Sequence, residues 1–262
     1  MLQTDCPALP PWVVLHIPHD AVYVPEALRR TLFLTDDELD AELLRMTDFW
    51  TYALFANGIP VSRTAIAPVN RLVVDVERFE DDRSEIMAAR GMGAVYTRTS
   101  QNAPLRRKPT ERQRRKLIET WYRPHHARLE RLVDEALKDH GRALVLDCHS
   151  FASKRLPYED ASGAPRPEIC IGTDAWHTPR PLARAALESF GLAGFDTAEN
   201  APFSGALTPM KHYARDGRVA ALMLEVRRDL YEDERTGAMR ADFVKLSRSL
   251  NRCLQAACES IA

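Results

Sequence analysis

The hydrophobic pattern of the chain predicts three buried strands, each of which leads to a titratable side chain. The strand-like apolar runs lie at 12–18, 143–148 and 220–226, and they reach His19, His149 and Glu225. Open α/β sheets build their sites at the carboxyl ends of their strands. We therefore expect these three side chains to meet at one edge of a sheet.

Helix and turn signals fill the intervals between these strands. Thr35 and Glu38 form a capping-box pattern, Pro124 should split a long helix, and Gly141 suits a helix end. The predicted elements are a helix start at 25–26, helices at 35–44, 49–57, 111–140, 181–190 and 238–260, strands at 59–65, 72–76 and 168–172, and loops at 80–110, 152–167 and 200–213. Strands that alternate with helices indicate an α/β sheet sandwich.

Composition points to one ordinary globular domain. The 262 residues include 45% hydrophobic and 28% charged residues, and the formal net charge is -1. This length allows a sizeable core, and the charge provides no general attraction to nucleic acid or anionic membranes. No apolar stretch is long enough for a membrane span, and no secretory signal begins the chain. We expect a cytoplasmic protein that binds neither nucleic acid nor membrane.

The cysteines favour neither a disulfide framework nor a thiolate zinc site. Their number is odd, and no two have the spacing of a Cys-x-x-Cys pair. They are Cys6, Cys148, Cys170, Cys253 and Cys258. Cys148 is expected in the core, and Ser150 lacks the glycine-flanked turn of a nucleophilic serine.

A metal centre is the chemistry that the strand-end histidines suggest. A catalytic zinc takes three ligands from His, Asp and Glu. His19 and His149 supply two, and Asp48, flanked by apolar residues, could supply the third. The alternatives are hydrogen-bonded structural histidines and an Asp48 that caps the helix at 49–57. Asp147 is either an ion-pair partner or a residue that orients a ligating histidine.

Two arginines bracket the segment 72–76. Arg71 precedes it and Arg78 follows it. Their planar guanidinium groups suit a carboxylate or a developing oxyanion. The alternative is that they form surface pairs with nearby acids, and Glu225 has a similar alternative as an ion-pair partner of Arg227 or Arg228.

Seven short motifs follow one another in an order that resembles the N-formylglutamate amidohydrolases, relatives of the zinc carboxypeptidases and aspartoacylases. The resemblance covers most of the chain. The motifs are Pro18-His19-Asp20, Thr47-Asp48, Arg71 to Asp75 and Arg78, Tyr96-Thr97-Arg98-Thr99, Arg123-Pro124 with His126, Asp147-Cys148-His149-Ser150, and Leu224-Glu225.

The resemblance implies a single domain over 1–262 with a zinc carboxypeptidase-like fold. This fold is a three-layer α/β/α sandwich around a central mixed sheet, and the family is expected to bind one zinc and no organic cofactor. Another divalent ion in place of zinc stays open. The implied reaction is hydrolysis of the amide bond in a small N-acyl amino acid such as N-formyl-L-glutamate, which releases formate and the free amino acid.

The resemblance also assigns roles to individual residues. It implies that His19, Asp48 and His149 bind the metal, that Glu225 is the general base, that Arg71 polarises the scissile carbonyl and that Arg78 holds a substrate carboxylate. Arg98, in a loop that could close over substrate, and His126, which could line the cleft, are further candidates for substrate binding. The alternatives are a solvated loop for Arg98 and a packed or solvated position for His126.

Two positions depart from the family pattern. Asp20-Ala21 stands where the family usually has Ser-Gly, and Glu77 stands where an Asn is usual. An acid in place of an amide donor beside Arg78 weakens the expected grip on glutamate. An amidase for another N-acyl substrate and a non-catalytic binder of metal or acidic ligands therefore remain alternatives. Glu225 argues against the second, because a binder needs no general base.

Overall fold

A computed structural model describes residues 9–56, 58–159, 163 and 165–262 of the chain. Cys6, Asn57 and parts of the predicted domain 1–262 and loop 152–167 lie outside the described residues. The strands are β1 (Val13–Ile17), β2 (Thr64–Ile66), β3 (Ala143–Phe151), β4 (Ile169–Gly172), β5 (Thr197–Glu199), β6 (Val219–Arg227), β7 (Glu232–Asp233) and β8 (Ala238–Met239). The helices are α1 (Glu26–Arg29), α2 (Asp36–Met46), α3 (Thr51–Phe55), α4 (Glu111–Leu117), α5 (Arg123–His140), α6 (Arg180–Leu192) and α7 (Phe243–Glu259).

The first six strands form one mixed sheet in the order β2-β1-β3-β6-β4-β5. Strand β3 lies at its centre, parallel to β1 and β6, and β4 pairs antiparallel with β6. Every residue of β3 is buried, which explains why this strand is almost continuously apolar. Strand β5 was not predicted, because its sequence Thr-Ala-Glu carries no apolar pattern.

Helices cover both faces of this sheet. Residues of α3, α6 and α7 pack on one face, together with side chains such as Leu146 and Leu224. Residues of α5 pack on the other face, against side chains that include Val145 and Ala221. The predicted α/β fold with a central mixed sheet flanked by helices is confirmed.

Local signals correctly placed the start of α2 and the end of α5. The Thr35 Oγ1 accepts from the Glu38 backbone at 3.3 Å, and the Glu38 carboxylate accepts from the Thr35 backbone at 2.7 Å. A single π-helical turn, 118–122, separates α4 from α5 just before Pro124, and Gly141 ends α5 with φ +71°. Left-handed φ values favour glycine, so the residue at position 141 by itself determines where α5 ends.

Three predicted elements were wrong in whole or in part. Residues 72–76 form buried turns instead of a strand, because the Asn70 side chain accepts from the Leu72 backbone at 2.9 Å and starts a turn. Only Thr64 and Ala65 of the predicted strand at 59–65 join the sheet, in a strand that continues to Ile66. The last helix begins at Phe243, since Ala238–Met239 pairs with β7.

Candidate metal centre and substrate cavity

His19, Asp48 and His149 converge at the carboxyl end of the parallel strands. His19 follows β1 by two residues, His149 lies near the end of the neighbouring β3, and Asp48 lies between α2 and α3. The Asp48 Oδ2 lies 3.6 Å from Nδ1 of His19 and 3.4 Å from Nδ1 of His149. All three residues are buried. Their ligand atoms are close enough together to surround one ion.

Each histidine is oriented by a second carboxylate. The Nε2 of His19 lies 2.8 Å from Asp75 Oδ1, and the Nε2 of His149 lies 3.0 Å from Asp147 Oδ1. Donation from Nε2–H leaves the lone pair of each Nδ1 facing Asp48. Metal-binding histidines typically have such carboxylate partners. Nδ1 of His19 is buried with no hydrogen-bond partner, so the atom is available to a cation.

The charges around Asp48 favour a cation between it and the imidazoles. Burial opposes ionisation of Asp48, but the neighbouring imidazoles of His149 and His19 and the charge of Arg228 outweigh it and hold its pKa well below the usual value. Burial also opposes a charge on His149, yet Asp147 and Asp48 raise the pKa of His149 well above 6.5. Two nitrogens and one oxygen suit zinc, so the residues fit the metal that the sequence implied.

Asp48 is itself fixed on both oxygens. Arg228 Nη2 donates to Oδ1 at 2.8 Å, and the Ser150 backbone donates to Oδ2 at 3.1 Å. The side chain that caps α3 is that of Asp20 and not that of Asp48. Asp20 accepts from the backbones of Trp50 and Tyr52, each at 2.9 Å, at the start of α3.

Asp20, which departs from the family pattern, therefore has a structural explanation. Trp50 has a left-handed φ of 66°, and the Asp20 carboxylate bonds the amides on both sides of that turn. Burial raises the pKa of Asp20 to about 6. The Asp20 carboxylate therefore fixes the backbone at residues 50–52, which follow Asp48.

Glu225 lies beside this centre on β6. Its backbone is the register partner of His149, so the two side chains emerge from neighbouring positions of the sheet. Glu225 is buried, its Oε2 has no hydrogen-bond partner, and burial raises its pKa to about 8. Arg227 pairs with Asp229 at 2.7 Å and Arg228 pairs with Asp48, so neither forms an ion pair with Glu225.

A cavity of about 550 Å³ opens onto these groups. His19, Asp48, His149 and Glu225 line it, as do both predicted arginines and His126. A single cavity therefore contains seven of the eight side chains that the sequence singled out. The exception is Arg98.

Arg71 and Arg78 reach the cavity around one shared acid. Asp75 Oδ2 lies 2.9 Å from Arg71 Nη2 and 3.6 Å from Arg78 Nε, and the Tyr96 hydroxyl donates to the same oxygen. Burial raises the pKa of Asp75, but Arg71 and His19 outweigh it and hold that pKa well below 3.8. The predicted alternative of surface pairs is wrong, because these contacts are buried.

The structure does not place Arg98 at the cavity. Its side chain is exposed and donates to the Asn102 carbonyl at 2.9 Å. It packs directly over Gly91, where a Cβ would lie 2.6 Å from Arg98 Cγ. Arg98 is not among the residues that line the cavity, and its contact with substrate stays a prediction.

His126 does line the cavity, but its ring bonds the protein. Its Nε2 lies 2.8 Å from the Val76 carbonyl oxygen, and burial lowers its pKa to about 4. A neutral imidazole here forms part of the wall. Its predicted contact with substrate stays a prediction.

A second cluster of histidines and carboxylates lies beside this centre, and the sequence did not predict it. It consists of His16, Glu77, His125 and Asp147, and we call it the His16 cluster. Nδ1 of His16 lies 2.8 Å from Asp147 Oδ1, and its Nε2 lies 2.9 Å from Nε2 of His125. Glu77 Oε2 lies 3.6 Å from His16 Nδ1 and 3.8 Å from His149 Nε2. Only the unexplained Glu77 and a histidine within β1 hinted at this group.

Two further predictions concern neighbouring residues. Cys148 packs in the core, as predicted, on the face of β3 opposite its neighbours. Asp147 contacts His149 and His16 through one oxygen, which agrees with the predicted orienting role.

Among the described residues, no helix is both long and apolar enough to cross a membrane.

Comparisons with known proteins agree on one family. The family model described as N-formylglutamate amidohydrolase matches residues 12–232. A curated N-formylglutamate deformylase from Pseudomonas putida is 25% identical over 230 residues, which cover 85% of this chain and 82% of that protein.

Solved structures show the same fold. A crystal structure of N-formylglutamate amidohydrolase from Ralstonia eutropha matches with a TM-score of 0.80 and 22% identity over 96% of both chains. A gene product of Agrobacterium tumefaciens matches with a TM-score of 0.69 and 21% identity, covering 95% of this chain and 91% of that one.

Proposed function

Because the chain belongs to the N-formylglutamate amidohydrolase family, we propose that it hydrolyses the amide bond of an N-formyl or other short N-acyl amino acid, such as N-formyl-L-glutamate. The products would be formate, or the corresponding acid, and the free amino acid. One observation carries this proposal. Nδ1 of His19 and Nδ1 of His149 both face Asp48 Oδ2, beside the unpartnered carboxyl of Glu225.

His19, Asp48 and His149 would hold a zinc ion. When bound, a divalent ion at such a site polarises a carbonyl and lowers the pKa of a water molecule. Asp75 and Asp147 keep both imidazoles in the tautomer that such an ion needs. The nitrogen and carboxylate ligands also suit other divalent ions, so metal analysis must decide among them.

Glu225 would move the proton. Its Oε2 has no partner in the protein and lies in the cavity wall next to His149, so it is free to accept a proton from the attacking water. Burial raises the pKa of Glu225 to about 8, so its ionised form, which a bound cation would favour, is a stronger base than an exposed carboxylate. The same carboxyl can then protonate the departing amine.

Arg71 and Arg78 would bind the negative groups of the substrate. Arg71 pairs with Asp75 at 2.9 Å, whereas Arg78 lies 3.6 Å from Asp75 and 3.9 Å from Glu85, and its Nε has no hydrogen-bond partner among the described residues. We assign Arg71 to the carbonyl oxygen, which becomes negative during attack, and Arg78 to the substrate carboxylate. Asp75 and Tyr96 hold Arg71 in place.

The test combines metal analysis with hydrolysis assays of N-acyl amino acids. We expect one divalent ion per chain and release of formate from N-formyl amino acids. Glu225→Gln should keep the ion and lose about 10²- to 10⁴-fold in kcat, the usual range for a general base.

Glu232→Gln is the matched control. Glu232 is also buried and also has a pKa raised to about 8 by burial, but it does not line the cavity. Full activity in Glu225→Gln would remove the general-base role. A metal-loaded protein that hydrolyses no N-acyl amino acid would instead be a binding protein.

A further inference from the structure

The cavity has a polar inner end and an apolar mouth. The side chains of Phe79, Ile86 and Met210 line it while remaining 47%, 86% and 60% exposed, respectively. Single exposed apolar side chains are common on protein surfaces. These three come from two distant segments and face one opening, and such a shared apolar surface marks a binding site.

The charges of the cavity leave room for one substrate carboxylate. Its described lining contains four arginines and six carboxylic acids. Arg45 pairs with Glu42 at 3.1 Å, and Arg228 pairs with Asp48 at 2.8 Å. Arg71 pairs with Asp75 at 2.9 Å, so Arg78 is the one arginine of this described lining without a close ion pair, since its contacts with Asp75 and Glu85 measure 3.6 and 3.9 Å. A second carboxylate, such as that of a glutamate side chain, would have no comparable partner in this described lining.

The size of the cavity also exceeds what a small dicarboxylic substrate requires. Cavities of about 300–1,000 Å³ hold drug-sized ligands, and this one measures about 550 Å³. The family description specifies a formyl acyl group, so the variable part of the substrate is the amino-acid side chain. An apolar side chain would fill the mouth and contact Phe79, Ile86 and Met210.

We infer that this chain prefers N-formyl amino acids with a large apolar side chain, such as leucine, over N-formyl-L-glutamate. The inference rests on the proposed hydrolase function. Arg78 holds the single α-carboxylate, the amide lies at the His19–Asp48–His149 centre beside Arg71, and the side chain extends towards Ile86. Phe79, Ile86 and Met210 therefore determine specificity and take no part in the chemistry.

The test compares kcat/KM for N-formyl derivatives of leucine, glutamate and glycine, using metal-loaded enzyme. We expect leucine to exceed both others by tenfold or more, since hydrophobic contacts discriminate by about 10- to 200-fold. Ile86→Asn and Met210→Asn should each lower the leucine-to-glycine ratio several-fold. The control is Leu192→Asn, because Leu192 is 90% exposed and lies outside the cavity lining, and it should leave the ratio unchanged.

A binding measurement keeps this inference separate from the proposed function. Calorimetric titration of Glu225→Gln should show that N-formyl-L-leucine binds more tightly than N-formyl-L-glutamate, whether or not turnover occurs. Tighter binding and faster hydrolysis of the glutamate compound would overturn the preference and leave the hydrolase function intact. N-hexanoylglycine as the best substrate would overturn the assignment of the mouth to the amino-acid side chain.

Discussion

Two adjacent groups of histidines and carboxylates differ in their hydrogen bonds, and the difference distinguishes the proposed metal centre from the His16 cluster. In the first group, Asp48 Oδ2 lies 3.4 Å from Nδ1 of His149 and 3.6 Å from Nδ1 of His19. Ligand atoms about 2.0–2.1 Å from a tetrahedral zinc lie about 3.3 Å apart, so this spacing leaves room for an ion. In the His16 cluster, Glu77 Oε2 also lies 3.6 Å from His16 Nδ1, and the ligand atoms of His16, Glu77 and Asp147 are close enough for an ion, but His16 contacts Asp147 and His125 at 2.8 and 2.9 Å. These are ordinary hydrogen-bond distances.

The electrostatic environments differ in the same direction. Acidic neighbours raise the pKa of His149 above its ordinary value against the effect of burial, whereas burial lowers the pKa of His16 and of His125. Burial also raises the pKa of Glu77 well above 4.5, which favours its neutral form. These shifts favour a positive charge on His149 and neutral imidazoles at His16 and His125. Asp147 Oδ1 joins the two, because it contacts both His149 and His16.

The largest expected effect comes from removing the oxygen of the first group. Asp48→Asn should reduce bound metal from one equivalent to almost none and abolish hydrolysis, because the neutral amide is a poor ligand. The loss of affinity should exceed the roughly 100-fold that removal of an orienting partner costs. Elemental analysis after dialysis measures it. His16→Gln is the matched variant, and equal metal loss in both would erase the distinction between the groups.

Asp147→Asn should have the next largest effect, since it alters the atom that joins both groups. We expect metal affinity to fall by about 10- to 100-fold, because His149 loses its charged hydrogen-bond acceptor. Competition with a chelator gives the value. Unchanged affinity would show that Asp147 serves only the His16 cluster.

His125→Leu should affect stability while leaving metal binding intact. It removes the partner of His16 Nε2 and leaves that buried nitrogen without a hydrogen bond. The free energy of unfolding should fall by about 1–3 kcal/mol. Denaturant unfolding measures the stability of the variant, and metal analysis of the same sample measures its metal content. Loss of the metal with no loss of stability would place His125 in the first group.

Glu77→Gln should have the smallest effect. If the Glu77 carboxyl is neutral in the fold, glutamine replaces it with a group of similar size and equal charge. Metal content should stay at one equivalent, and the midpoint of thermal unfolding should barely move. If the wild-type protein contained two equivalents of metal per chain and Glu77→Gln contained one, the His16 cluster would be a second metal site.

Much of the site could be predicted because its residues stand in short motifs at the ends of strands. His19, Asp48, His149 and Glu225 meet in one cavity, as their positions suggested, although their roles stay predictions. Arg98 is the exception, because Tyr96 and Thr99 of its motif are buried while its own side chain is exposed over Gly91, and its contact with substrate stays a prediction. A motif records that a residue is present, and packing decides where its side chain points.

The sequence by itself determined the buried strands, the capped start of α2, the end of α5 at Gly141 and the order of the motifs. These features depend on residues that are close together in the chain. The tertiary structure decided which histidine nitrogens face Asp48, that Asp20 and not Asp48 caps α3, and that His16 meets His125 across 109 positions. Such contacts depend on strand register and on the paths of loops, which no local pattern specifies.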